Sequence, residues 1–94
     1  KDNKEPAILF ASIASQYRLI YSVKNLIKEG YRETEIAKIF NIHEYRVKLA
    51  HNNSYNYTND ELKDKLVLIG KLDEKIKLGR IDKYSALKYF LTSL

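Results

Sequence analysis

The stretch from Glu5 to Gly30, EPAILFASIASQYRLIYSVKNLIKEG, decides the fold. Its apolar side chains recur every three or four residues, the spacing that places them on common faces of an α-helix. Leu9, Ile13, Ile20 and Ile27 form one row, and Phe10, Ala14, Tyr17 and Tyr21 form another. A helix apolar over so wide an arc is packed by neighbours on two sides, so it belongs at the centre of a bundle. Both of its ends are marked. Pro6 suits a first turn, where its missing N–H would be unpaired anyway, and Gly30 supplies the left-handed residue that stops a helix. The pattern predicts one helix from about Glu5 to Glu29.

The rest of the chain keeps this period. Only three glycines and one proline interrupt 94 residues, and no segment reads convincingly as a strand. A short helix is predicted from about Glu33 to Phe40, then a turn at Asn41 and Ile42, then a third helix from His43 to about Asn52. The polar and tyrosine-rich stretch from Asn52 to Asn59 ends it. Thr58 and Glu61 form a capping box, in which hydroxyl and carboxylate each accept from a free backbone amide. The fourth helix that follows presents Leu62, Leu66, Ile69, Leu72 and Ile76 to the core, and Gly79 stops it. Asp82 caps a fifth helix whose inner face is Ala86, Leu87, Phe90 and Leu94. The expected fold is therefore all-α, a compact bundle of about five helices. A helix-turn-helix-like pair at about 33–52 packs on the long first helix. Leu9, Ile13, Ile20, Ile36, Phe40, Val47, Leu62, Leu66, Ile69 and Phe90 are expected inside.

This length supports one hydrophobic core and not two. Lys1 to Lys4 read as the end of a linker, and residues 5–94 as a single helical domain cut from a longer protein. With 45% apolar and 31% charged residues the composition is that of a water-soluble globular domain. No cysteine is present, which excludes disulfides, thiolate metal sites and cysteine nucleophiles, and permits a cytoplasmic origin. The longest apolar run, Ala7 to Ala14, is about half of what a membrane span requires. It is preceded by Glu5 and Pro6 rather than by a signal-peptide n-region.

The net charge of +5 raises the possibility of nucleic acid, but it is spread thinly. Residues 1–30 hold five basic and three acidic side chains, residues 31–57 four and three, and residues 58–94 eight and six. The basic stripe that drives phosphate binding is missing.

The second and third predicted helices have helix-turn-helix spacing, with Ile36, Ala37, Phe40, Ile42, Val47 and Ala50 holding them together. In a DNA reader the third helix would aim Tyr45, Arg46, Lys48 and Leu49 at the groove. The glutamate at position 44 and the near-neutral charge of that segment favour a packing unit instead. His43 and His51 stand eight residues apart and share no face as a metal pair would, so both read as structural. The acidic pairs Asp60–Glu61 and Asp73–Glu74 have no partner base or glycine loop and read as solvated helix charges. Gly70 and Lys71 lack the first glycine of a phosphate loop and fall inside a predicted helix. The eight tyrosines are dispersed, which suits packing rather than a base-stacking platform. No catalytic residue, cofactor site or metal site is assigned. Asp73, at the edge of the fourth helix's apolar face, needs a partner: Lys77 at i+4, or Gln16 or Arg18 of the first helix.

Four blocks in order carry a resemblance to a known family. They are Gln16-Tyr17-Arg18-Leu19-Ile20; Gly30-Tyr31 with Glu35-Ile36-Ala37; Ile42-His43 with Tyr45-Arg46-Val47-Lys48; and Asp73 with Ile76-Lys77, Gly79-Arg80-Ile81-Asp82. Together they resemble the C-terminal domain of the clamp loader delta subunit of bacterial DNA polymerase III, from about Ile8 to Leu91. Three positions depart from the family's habit: Glu44 where proline is frequent, Asn41 where glycine is common, and Arg32 where a serine cap is common. The resemblance implies a five-helix collar domain, with the collars of five subunits joining into a ring above ATPase-type modules. The parent protein would be a cytoplasmic subunit of the DNA polymerase III holoenzyme, acting in DNA replication. Its partners would be the ATPase subunits and delta-prime through the collar, and the sliding clamp through an N-terminal region. DNA contact would be weak or indirect, with no membrane involved. Tyr84, Tyr89 and Leu91 are the candidate interface residues on the outside of the fifth helix.

Overall fold

The computed structural model describes residues 4–94; of the linker expected at residues 1–4, residues 1–3 lie outside them and Lys4 begins the first helix instead. Five helices follow one another: α1 (Lys4–Lys28), α2 (Glu33–Phe40), α3 (Glu44–Ser54), α4 (Asn59–Lys77) and α5 (Lys83–Thr92). No strand occurs among the described residues. The long α1 touches all four other helices, as its two apolar rows require.

Three helices stop by the same device. Gly30, Asn41 and Gly79 take φ of 104°, 54° and 72°, in the left-handed region. The next residue's N–H then reaches back: Tyr31 to the Leu26 carbonyl, Ile42 to Ala37 and Arg80 to Lys75, at 3.0, 3.0 and 2.9 Å. Asparagine adopts this conformation more readily than other non-glycine residues, so Asn41 can replace a turn glycine.

The helix starts follow from their caps. The Thr58 hydroxyl accepts from the Glu61 N–H at 3.1 Å, and the Glu61 carboxylate accepts from the Thr58 N–H at 2.8 Å. Before α2 only half of this box exists: Glu35 accepts from the Arg32 N–H at 2.9 Å, because a guanidinium has no acceptor to return. Asp82 accepts from the Ser85 N–H at 2.8 Å and from its hydroxyl at 2.9 Å, and these bonds hold its carboxyl below its ordinary pKa. His43 is a cap rather than the first residue of the third helix, its ring Nδ1 accepting from the Tyr45 N–H at 3.0 Å.

That helix also runs two residues beyond the expected Asn52. Ser54 is buried, but its hydroxyl donates to the His51 carbonyl at 2.6 Å and its own carbonyl accepts from Lys24 Nζ at 3.1 Å. With these polar groups satisfied, a polar sequence can continue as helix.

The core consists of Phe10, Ala14, Tyr17, Ile20 and Val23 of α1, met by Ile36, Val47, Leu62, Ile69, Leu72, Leu87 and Phe90. Three expected core residues lie outside. Leu9 is 49% exposed, Phe40 38% and Leu94 61%. Along the row that contains Leu9, Ile20 is buried and Ile13 and Ile27 are half-buried against the core, whereas Leu9, near the start of α1, stays in water. Phe40 ends α2 as the chain reverses at Asn41, and Ile42 packs against the core instead. Leu94 follows the end of α5 and cannot share its face. Ile13, Leu66 and Ile76 are half-buried.

Tyr17 sits between Phe90 and Tyr57 in edge-to-face geometry, with ring centroids 5.7 Å from each. Burial, reinforced by the neighbouring Tyr57 hydroxyl at 3.4 Å, pushes its pKa from 10.0 up to about 12. The raised value favours the neutral phenol. Its stabilising effect is therefore intact below the unfolded value near 10 and is lost as pH climbs toward 12. In an ultraviolet phenolate titration of the folded chain, the Tyr17 step should fall near 12. Tyr17→Phe should lose less thermal stability than the parent across that window. Eight tyrosines ionising together in a folded chain would contradict this placement.

Candidate assembly surface

Among the described residues no group of three His, Asp or Glu side chains is placed to hold a metal ion. Gly70 and Lys71 lie in the interior of α4, so their amides are committed to the helix rather than to a phosphate. Among the described residues no helix is long and apolar enough to cross a membrane.

The polar groups that are drawn together tie helices to one another. His51 joins α3 to the start of α2 through Nδ1 and the Glu33 carboxylate at 2.7 Å, and its Nε2 lies 3.2 Å from the Tyr55 hydroxyl. Asn25 of α1 and Asn59 of α4 exchange side-chain amide bonds at 3.3 and 3.2 Å. Lys24 reaches the end of α3. None of these long-range pairs is visible in the sequence, where each residue looks like an ordinary polar surface position. Asp73 lies 3.0 Å from Lys77 Nζ, an exposed i,i+4 pair of a few tenths of a kcal/mol. No hydrogen bond or ion pair links Asp73 to Gln16 or Arg18 among the described residues.

On α3, Val47 and Ala50 turn inward, while Tyr45 and Leu49 are 60% and 44% exposed. Arg46 and Lys48 are exposed as well, and Arg46 shares with Leu49 a crevice against Leu19 and Ile20 of α1. The four positions that a groove-reading helix would present thus lie on its outer arc, but only two of them are basic and Glu44 sits in the first turn.

On α5, Ala86, Leu87 and Phe90 are buried, and Tyr84, Tyr89 and Leu91 are exposed. At about 100° per residue, Tyr84 and Leu91 stand on one flank and Tyr89 about 160° away from Leu91 on the other. The three do not form one patch. Tyr84 and Leu91 can share a partner, and Tyr89 faces a different direction.

Comparison with known proteins agrees with the architecture. The family described as the DNA polymerase III delta subunit, C-terminal domain, matches residues 1–94. The chain is 34% identical over 94 residues to DNA polymerase III subunit delta of Bacillus subtilis (strain 168), covering all of this chain and 27% of that protein. The solved structure of the Bacillus subtilis DNA clamp loader delta protein superposes with a TM-score of 0.86 at 32% identity, covering 95% of this chain and 26% of that one. The chain thus spans about a quarter of the length of the relatives it matches. The family match over the whole chain, together with a five-helix architecture that superposes on a solved relative, places the chain in the C-terminal domain family of DNA polymerase III delta subunits.

Proposed function

We propose that this chain is the assembly domain of a clamp loader delta subunit, joining the collars of the ATPase and delta-prime subunits in the cytoplasm. The parent protein then serves the DNA polymerase III holoenzyme in DNA replication, and its N-terminal region holds the sliding clamp. The family match over the whole chain carries this reading. The chemistry of the surface supports it: the outer positions of α1 and α5 hold large apolar side chains, Ile8, Leu9, Tyr84, Tyr89 and Leu91, that water alone would not favour. A ring contact is heterologous, so the domain needs a different subunit opposite it rather than a second copy.

The test is reconstitution of the full-length parent with the ATPase and delta-prime subunits. Tyr84→Glu with Leu91→Glu should weaken the complex by about tenfold or more, because a carboxylate would be buried without a partner. Circular dichroism should be unchanged, since both residues are exposed. The isolated chain should bind duplex DNA with no better than about micromolar, sequence-blind affinity at physiological salt, because its lysines are scattered. A variant that assembles with undiminished affinity removes the α5 flank from the interface. A sequence-selective nanomolar DNA complex would instead make the third helix a reader.

A further inference from the structure

The outer face of α1 is unusual for a chain rich in charge. From Pro6 to Val23, eighteen residues carry one charged side chain, Arg18, although seven of these positions are exposed. Where α2 and α3 approach this face they leave an open apolar groove. Two adjoining crevices that share Leu19 and Arg46 form it: Leu19, Phe40, Ile42 and Leu49 supply the apolar walls, Gln16, Asn53 and two serines the neutral polar lining, and Arg18 and Arg46 the only charges. No carboxylate lines it. Phe40 and Leu49 stay 38% and 44% exposed there, although both belong to helices that bury other apolar residues.

This composition of aromatic and aliphatic anchors with arginine at the edge is what a partner's helix buries at a protein interface. It is a poor phosphate track. Two arginines around an apolar floor offer few backbone contacts, and nucleic-acid grooves are more densely basic. Uncompensated positive charge beside an apolar channel selects an occupant with carboxylates flanking its apolar stripe.

The geometry points to this groove as the docking site for an acidic amphipathic helix of a neighbouring clamp-loader subunit, with Arg18 and Arg46 meeting its carboxylates. The inference rests on the assembly reading above and adds a second face to it. A ring member has two neighbours and needs two separate surfaces, and this groove shares no residue with the Tyr84–Leu91 flank of α5.

The full-length parent bearing Arg18→Glu and Arg46→Glu, reconstituted with the other clamp-loader subunits, tests it. Neither change should alter circular dichroism, because both arginines are exposed. The Kd for the complex should rise at least about tenfold, since reversed charges would repel the partner's carboxylates. Arg18→Gln with Arg46→Gln should flatten the salt dependence of that Kd, which a purely structural role would not do. Truncating Phe40 and Leu49 to Ala should weaken the complex at every salt concentration. Unchanged assembly of the Glu variants overturns the proposal. In that case the Tyr84 and Leu91 variants report whether the assembly reading still stands. Two other results overturn it as well. If the Glu variants assemble normally but lose affinity for primer–template DNA, the groove is a nucleic-acid surface. If they instead make the parent unstable or protease-sensitive, the groove is covered by the rest of its own chain.

Discussion

Replacing Phe90 with alanine should cost about 3 to 5 kcal/mol, the largest loss expected from a single truncation in this domain. The ring is completely buried and lies at the junction of α5 with the first half of α1. It meets Phe10 edge-on at 6.4 Å between centroids and Tyr17 at 5.7 Å, contacts that add to the burial itself. Truncation would leave a cavity walled by two other large rings, which cannot collapse into it without leaving their own positions. A domain of this length holds about 5 to 15 kcal/mol in total, so the variant would be near its folding limit at room temperature. A urea melt followed by circular dichroism should shift its midpoint down by roughly 2 M or more. A loss under about 1 kcal/mol would mean that α5 does not dock on α1 through this ring.

The second large effect separates two side chains of one helical row. Ile20 is 7% exposed and Leu9 is 49% exposed, although both lie on the row that the sequence marks as apolar. Ile20→Ala should cost about 2 to 5 kcal/mol, because α3 closes over it. Leu9→Ala should cost under about 1 kcal/mol, because a half-exposed side chain has already kept much of its contact with water. Paired denaturant melts decide the matter. Equal losses would place α3 further toward the start of α1, and a larger loss at Leu9 would require α1 to be rotated about its axis.

The contrast between Ile20 and Leu9 marks where sequence reading reaches its limit. A helix's period assigns side chains to faces along its whole length. It carries no information on how far along that face a neighbour extends. Periodicity therefore predicts Leu9, Phe40 and Leu94 inside, and each is exposed because its helix neighbour or its own helix stops short of it. The same uncovered positions supply material for an interface: Leu9 lies on the charge-poor face of α1, and Phe40 lines the groove beside Arg46.

The sequence by itself determined the elements and their order. Local chemistry was sufficient, because a capping box, a left-handed glycine or asparagine and a 3.6-residue period act over a few residues and are legible one after another. Thr58, Asp82, Gly30 and Gly79 all act where their types predict. What only the tertiary structure decided is which apolar side chains remain uncovered and which polar ones find distant partners. Arg46 and Leu49 come to share a crevice with α1, Tyr89 parts from Leu91, and His51 meets Glu33 eighteen positions away. Those outcomes depend on where one rigid helix crosses another, which is set by close packing of the whole core rather than by any residue's neighbours in the chain.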